Sequence, residues 1–370
     1  MPAAIAIGGN RWTGVRELRS HSDNDPTHAY ERDVIRPHVL GKFGDLLRAT
    51  AESPAMLYYL DNWQSRAPQL SAGPSASRAA QGMGASSGLN ENYARELLEL
   101  HTLGVDGGYT QRDVSEVARC FTGWTIHDPA HGGPFEFNEK LHDKGEKTVL
   151  GITIPAGRGQ EDGLQVLEIL AHHPATARHI ARQLGQRFVA DGPPASLIER
   201  LAQTFTRTDG DLREVMRVLL TSREFWSAGA YRAQIKSPLE LVVSAVRALQ
   251  AEVSSAYWLA QYISQLGEPL YRKAEPTGYA TTSDQWLTAA TVVGRMNFAQ
   301  QLTANRLPGV QVEFSRLRQT LWAVPVAVGR ELIPEGISEA TRAAIAQAAA
   351  DTQLGLIAGL VLGSPEFQRQ

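Results

Sequence analysis

The sequence contains very little cysteine. Its 370 residues include a single one, Cys120. One thiol cannot form an intrachain disulfide, and it cannot supply the several sulfur ligands of a structural zinc or iron–sulfur site. A disulfide-stabilised fold and a cysteine-based metal cage are therefore both excluded.

A charge of one dominant sign is also missing. The chain has 36 basic and 39 acidic residues, which gives a formal net charge of −3 at pH 7. Domains that bind nucleic acid are usually strongly basic, because they neutralise backbone phosphates. We therefore expect no nucleic acid partner. Hydrophobic residues make up 43% and charged residues 20% of the chain, a composition typical of a soluble globular protein and not of a disordered one.

Long uncharged apolar runs are absent as well. A transmembrane helix needs about 20 consecutive apolar residues, and no stretch of the sequence provides them, so no membrane span is expected. Residues 1–7 are apolar, but no basic residue precedes them and Gly8 and Gly9 follow directly. They therefore do not resemble a signal peptide, which needs a basic start and a longer apolar region.

Helical periodicity runs through most of the chain. Apolar residues recur every three to four positions, which predicts an all-α fold with one large multi-helix domain over residues 31–370. Alternating β-branched and aromatic residues predict one small β-hairpin near residues 135–154. Turn-forming residues predict an irregular segment over residues 1–30, and a Ser-, Gly- and Pro-rich composition predicts a flexible loop over residues 64–88.

No complete catalytic motif is present. The sequence has no H-E-x-x-H zinc motif, no Walker A phosphate loop and no G-x-G-x-x-G dinucleotide fingerprint. Residues 84–88 match G-x-S-x-G in letters, but a nucleophile elbow has to follow a buried strand. Because a Ser/Ala/Gly segment precedes them, we interpret these residues as part of the loop.

Two adjoining helices carry clear end signals. Asn90 is a suitable N-cap for a helix that ends before Gly104, which stands where a C′ glycine belongs. Thr110 and Asp113 have the spacing of a capping box at the start of the next helix. The loop between the two helices is short, so they are predicted to pack against each other as an antiparallel pair.

The first of these helices carries a family resemblance. Residues 88–104 (GLNENYARELLELHTLG), with 109–114 (YTQRDV) and 121–124 (FTGW), closely resemble the bacterial family called domain of unknown function 1800. Shorter matches follow at 142–148, 172–177, 236–238 and 276–279. Members of that family usually begin further upstream, so the resemblance implies that this chain lacks the N-terminal part. The family has no established reaction, and the resemblance therefore implies an architecture rather than an activity.

Polar residues gather on one face of the same helix. Asn92, Arg95, Glu96 and Glu99 follow helical spacing. Two carboxylates three residues apart can act as a general acid/base pair or share a metal ion. The alternative is a solvated face on which Arg95 forms ordinary i,i+4 salt bridges with Glu91 and Glu99.

A second candidate is the dipeptide His142–Asp143, which lies in a loop rich in Gly, Lys and Glu. A loop histidine beside a carboxylate can ligate a metal ion, with the aspartate as ligand or as its hydrogen-bond partner. The same two residues are equally compatible with a turn that leaves the histidine exposed.

Two functions of different classes fit these residues. We expect first a non-catalytic helical scaffold or partner-binding module, since no catalytic signature is complete. The family resemblance implies an exported, sulfatase-like protein as its partner, and this context leaves a periplasmic or secreted location open. The hypothesis predicts a broad exposed apolar patch and no buried cluster of charges.

The alternative is an enzyme that carries out metal-assisted hydrolysis or carboxylate-based acid/base chemistry. In that scheme Glu99, His142 and Asp143 hold a divalent metal cofactor, Glu96 acts as the base, and Arg95 orients an anionic group. The scheme predicts that the carboxyl and imidazole groups lie within about 3–6 Å of a common point. The sequence assigns neither the substrate nor the metal.

Overall fold

A computed structural model describes residues 30–68, 88–273, 275–314, 329, 332–333, 336–348 and 354–370. The segment predicted to be irregular, 1–30, and the loop predicted at 64–88 lie almost entirely outside these residues, so both stay predictions. No helix in the described ranges is long and apolar enough to cross a membrane.

Helices form most of the described chain, which confirms the predicted all-α class. The α-helices are α1 (Arg36–His38), α2 (Phe43–Ala51), α3 (Pro54–Tyr59), α4 (Glu91–Glu96), α5 (Gln111–Cys120), α6 (Glu161–Ala171), α7 (Pro174–Phe188), α8 (Ala195–Arg207), α9 (Leu212–Leu220), α10 (Pro238–Ala248), α11 (Tyr257–Gln265), α12 (Ser283–Trp286), α13 (Ala289–Thr303), α14 (Glu339–Ala348), α15 (Leu354–Leu362) and α16 (Pro365–Gln368). Two π-helices cover Tyr30–Ile35 and Leu97–Thr102, and short 3-10 helices cover Asn62–Gln64 and Pro129–His131.

Three two-stranded antiparallel sheets lie within the described residues. The pairs are β1 (Trp124–Ile126) with β2 (Phe135–Phe137), β3 (Lys147–Val149) with β4 (Ile152–Ile154), and β5 (Glu252–Val253) with β6 (Val310–Gln311). The region of the one predicted hairpin thus contains strands from two sheets. The reason is local, since Leu150 and Gly151 both have positive φ and make the tight turn that pairs β3 with β4.

The chain groups into two compact units. Unit 1 consists of Met1–Gly185, Pro193–Ser222 and Tyr271–Tyr279. Unit 2 consists of Gln186–Gly192, Arg223–Leu270 and Ala280–Gln370.

Unit 1 is built around α4 and α5, which pack against each other. Both predicted N-caps are confirmed. The Asn90 side chain accepts a hydrogen bond from the Tyr93 amide at 3.1 Å, and Thr110 and Asp113 form a reciprocal capping box. Behind the two helices Tyr93, Phe121 and Trp124 pack ring against ring, with centroids 5.2 and 4.9 Å apart. The caps therefore set where the helices begin, and the aromatic side chains join them into one core.

Unit 2 has its core where α13 packs against α15. Phe298 of α13 and Val361 of α15 are completely buried there. A buried Arg295 on the same helix donates to the Gln368 side chain at 2.9 Å and to the Lys236 carbonyl oxygen at 2.8 Å. This arginine thereby links α13 to α16 and to the segment that precedes α10.

The contact between α6 and Trp124 leads to a stability prediction. A Cβ atom added at Gly163 would lie 2.5 Å from an indole carbon of Trp124. Since both groups are buried, Gly163→Ala should lower the free energy of unfolding, measured with urea, by about 1–3 kcal/mol. Gly44→Ala in α2 is the control, because its new Cβ would meet Ala171 at an ordinary 3.7 Å. An equal loss of stability in both variants would contradict the prediction.

Candidate functional site

The helix that begins with α4 changes its hydrogen bonding directly after Glu96. There α4 ends and the π-helix Leu97–Thr102 begins, and the Leu103 amide donates to the Leu98 carbonyl five residues earlier at 2.8 Å. π-Helical turns are rare and occur frequently at functional sites. The change of helix type places the two candidate carboxylates on either side of the junction, with Glu99 in the π-helix.

Glu99 is held by two neighbours. The Tyr109 hydroxyl donates to its Oε1 atom at 2.5 Å, and the Arg95 guanidinium donates to the same oxygen at 3.4 Å. The i,i+4 pair of Arg95 with Glu99 is therefore formed. Glu91 accepts a hydrogen bond from the side-chain amide of Gln111 at 2.8 Å, and the side-chain oxygen of Gln111 accepts one from Arg95 at 2.7 Å. Gln111 thus lies between Arg95 and Glu91.

Glu96 is in a different position from Glu99. It is half-buried, and no hydrogen bond or ion pair joins its carboxyl group to another residue in the part of the chain that the structure describes. Burial and the negative charge of Glu99 raise the pKa of Glu96, and the Arg95 charge offsets only part of this effect. A carboxyl group in such surroundings holds its proton to a higher pH than an exposed glutamate does.

Tyr59 contacts the segment Tyr271–Tyr279, which belongs to unit 1. The Tyr59 hydroxyl donates to the Lys273 carbonyl oxygen at 3.5 Å. Burial and the charges of Glu96 and Glu275 raise the pKa of Tyr59 to about 12. The Lys273 ammonium pairs with Glu275 at 3.0 Å and lies 5.7 Å from the ring centre of Tyr279. The charge of Glu96 thus acts on the Tyr59 phenol, which also contacts the segment Tyr271–Tyr279.

His142 and Asp143 lie elsewhere, in an enclosed set of charges. His142 Nε2 is 3.1 Å from Asp162 Oδ2, and the Lys147 ammonium donates to the same oxygen at 2.6 Å. Lys147 also donates to the carbonyl oxygens of Asp143 and Gly145, at 2.5 and 2.9 Å. The side chains of His142, Lys147 and Asp162 have 0% exposure. These groups are therefore closed to solvent, and the turn with an exposed histidine does not form.

Arg119 completes this set from α5. Its guanidinium binds both oxygens of Asp143 at 3.1 Å each and donates to Glu116 at 2.8 Å. His142 turns its two ring nitrogens to acceptor oxygens, since Nδ1 is 2.8 Å from the Thr122 carbonyl oxygen and Nε2 faces Asp162. We call the six ionisable residues the buried charge cluster: Glu116, Arg119, His142, Asp143, Lys147 and Asp162.

The ions of the buried charge cluster are paired with one another. Burial alone would raise the pKa of Asp143 and of Asp162, but the bonds from their cationic neighbours lower both below the usual range. The Lys147 ammonium binds Asp162, and the Arg119 guanidinium binds Asp143 and Glu116, so each of these ions has a partner of opposite sign. Because a buried ion is tolerated only when it is paired and hydrogen-bonded, this arrangement is typical of a group that holds the fold together.

The five candidate residues therefore fall into two separate places. Glu99 is bound by Tyr109 and Arg95, whereas His142 and Asp143 belong to the buried charge cluster, and no hydrogen bond among the described residues joins the two sets. Within the described ranges, no group of three or more His, Cys, Asp or Glu side chains could hold a metal ion. A divalent metal shared by these three residues stays a prediction that their contacts do not support.

Comparison with known proteins decides the family. A family model described as "Protein of unknown function (DUF1800)" matches residues 15–369 of the chain. The chain belongs to the DUF1800 family. A search of curated proteins and a search of solved structures returned no match. Membership confirms the resemblance seen in the sequence, but it assigns no reaction, so the chemistry of this DUF1800 protein has to be argued from the geometry of its residues.

Tyr59 and Tyr109 are the neighbours of the glutamates that the sequence did not point to as site residues. Burial and the hydrogen bond to Glu99 raise the pKa of Tyr109 to about 12. Tyr109 opens one of the stretches that resemble the DUF1800 family, and this is the one signal that could have indicated it. Tyr59 carries no such signal, because only the folded chain brings it close to Glu96.

The buried charge cluster predicts a large effect for the loss of its lysine. Lys147→Met leaves the Asp162 carboxylate buried with one cation fewer, so the free energy of unfolding in urea should fall by about 3–5 kcal/mol. Lys144→Met is the matched control. The Lys144–Glu139 pair, at 2.7 Å, is more than half exposed on both sides, so solvent screens it and its loss should leave the free energy of unfolding almost unchanged. A similar small loss in both variants would show that the cluster contributes little to stability.

Proposed function

We propose that this protein is an enzyme in which the Glu96 carboxyl group donates and accepts a proton. The observation that supports the proposal is the contrast between two neighbouring glutamates. Glu96 is half-buried, its carboxyl group has no hydrogen bond or ion pair with another described residue, and its pKa is raised. General acids and bases work best when their pKa lies near the working pH, and burial beside a like charge is one way to achieve this.

The two glutamates would have different roles. The Tyr109 hydroxyl and the Arg95 guanidinium stabilise the negative charge of Glu99. That charge keeps the proton on Glu96 to a higher pH. In other enzymes with two neighbouring carboxyl groups, one likewise stays protonated while the other is ionised. Arg95 is then a positioning residue for Glu99, since its donors are used by Glu99 and Gln111.

The chemistry best suited to such a pair is protonation of a leaving group, as in the hydrolysis of a glycoside or an ester. The charge of Glu96 also raises the pKa of the Tyr59 phenol, so this second polar group is electrostatically linked to Glu96. His142 and Asp143 have no part in this reaction scheme, because both are enclosed in the buried charge cluster.

The proposal predicts a linked change in protonation and activity. In an NMR titration of glutamate carboxyl carbons, Glu96 should titrate above the usual value of about 4.3, and Glu99→Gln should lower the pKa of Glu96 by removing the neighbouring charge. In a screen of chromogenic glycosides and esters, Glu96→Gln should slow the reaction by about 10²-fold or more. Glu139→Gln, an exposed carboxylate of unit 1, should change neither result.

Two outcomes would contradict the enzyme proposal. One is a Glu96 pKa at or below its usual value. The other is turnover that Glu96→Gln leaves unchanged.

A second function, binding of a protein partner, is favoured by exposed aromatic side chains in unit 2. Tyr257 and Trp258 are 61% and 42% exposed at the start of α11, and their rings are 5.4 Å apart at 85°. Tyrosine and tryptophan are enriched in protein interfaces, where they supply much of the binding energy. The partner implied by the family resemblance is an exported, sulfatase-like protein. This function is the second candidate because a module of this kind was expected to have no buried charge cluster.

The partner hypothesis predicts that Tyr257 and Trp258 contribute to the affinity for the partner protein. Replacing both residues, Tyr257→Ser with Trp258→Ser, should weaken binding of a purified sulfatase-like protein, measured by surface plasmon resonance, by at least about tenfold. Val105→Ser removes an apolar side chain that is 70% exposed in unit 1 and serves as the control. If the double variant binds as tightly as the control, the aromatic pair is not the docking surface.

A further inference from the structure

An open cleft runs along one face of α10 in unit 2. It has a volume of about 490 Å³ and is lined by Lys236, Leu239, Glu240, Val243, Ser244, Arg247 and Gln370. Apart from Gln370, these residues lie 3, 4, 7, 8 and 11 positions after Lys236, which is the spacing of one stripe on a helix face, and Lys236 itself lies two residues before α10. The stripe has a cation at each end and aliphatic side chains between them.

The end of the cleft at Lys236 is held in place by the backbone. Ser237 and Glu240 form a capping box, in which the Glu240 carboxylate accepts from the Ser237 amide at 2.8 Å. The buried Arg295 binds the Lys236 carbonyl oxygen at 2.8 Å. The main chain of Lys236 is thus fixed, and its ammonium group lies 3.9 Å from the ring centre of Phe367.

The two cations of the cleft lack acidic partners. Glu240 is the carboxylate nearest to them in the stripe, but it is bound by Arg187 and by the Gln370 side chain. Among the described residues no carboxylate forms an ion pair with Lys236 or Arg247. Burial and the charge of Arg232 lower the pKa of Lys236 to about 8, and the charge of Glu240 offsets only part of this effect. The cleft therefore attracts negative charge.

The spacing of the cations selects the shape of an anionic ligand. Arg247 lies nine residues after Pro238, the first residue of α10, which is a rise of about 14 Å at 1.5 Å per residue, and Lys236 lies two residues before the helix begins. A single small anion cannot contact both ends. In an extended peptide, residues four positions apart are about 13 Å apart and point to the same side. The side chains of two such acidic residues can therefore reach the ammonium of Lys236 and the guanidinium of Arg247.

We propose that this cleft binds an extended acidic peptide segment of a partner protein. Two acidic residues four positions apart pair with Lys236 and Arg247, and an apolar residue midway between them packs against Leu239 and Val243. The pattern recognised is therefore acidic-x-apolar-x-acidic. This site is independent of the proton transfer proposed for Glu96, and the two proposals can fail separately.

The test uses the full chain and a fluorescent peptide, Glu-Ser-Leu-Ser-Glu, blocked at both ends. Fluorescence anisotropy at low salt should show saturable binding, which Lys236→Gln and Arg247→Gln each weaken by about tenfold. Arg213→Gln, which removes an exposed cation of α9, should leave the affinity unchanged. A peptide with glutamine in place of both glutamates should bind at least about tenfold more weakly than the acidic one.

Several results would overturn the proposal. They are no binding of the acidic peptide, equal binding of the glutamine peptide, and equal loss of affinity in Arg213→Gln. Displacement by free suberate at the same concentration as the peptide would show a site for small dianions and would also overturn it. Should Lys236→Gln alter the circular dichroism spectrum, the exposed Arg247→Gln variant decides the outcome.

Discussion

The bond between Lys147 and Asp162 is the interaction on which the surrounding part of unit 1 depends. An ammonium and a carboxylate with no exposed surface lie 2.6 Å apart, and removing such ions from water costs several kcal/mol each unless partners replace the solvent. His142 faces Asp162, the Asp143 carbonyl oxygen accepts from Lys147, and Arg119 binds the Asp143 carboxylate in turn. Since these residues come from α5, from the loop before β3, from β3 and from α6, each of these elements must be in place before the ions are satisfied.

This constraint decides which polar residues remain accessible for chemistry. His142 and Asp143 are used to hold a loop against two helices, so they are closed to any substrate. Glu96 and Glu99 lie on the solvent side of the same unit, at the point where an α-helix becomes a π-helix. The neighbouring Tyr109 satisfies one carboxylate and leaves the other without a hydrogen bond among the described residues. The stability of unit 1 and its proposed reactivity therefore come from different sets of charges.

Unit 2 uses a buried cation in a similar way. Arg295 lies in the core and directs its donors to Gln368 and to the Lys236 carbonyl oxygen. The main chain of Lys236 is thereby tied to the core, while its ammonium lies at the end of an open cleft with Arg247 at the other end. In both units a buried ion fixes the backbone, and other charged groups of the same unit are the ones available to a ligand.

The sequence by itself determined the helical class, the family and the local signals at helix ends. Asn90, Thr110 and Asp113 cap their helices as predicted, because a cap depends on residues within one turn of itself. Only the tertiary structure decided that His142 is buried and which residues surround Glu96. Burial of a histidine and the approach of Tyr59 to a glutamate both depend on contacts between residues far apart in the chain, and local patterns do not encode such contacts.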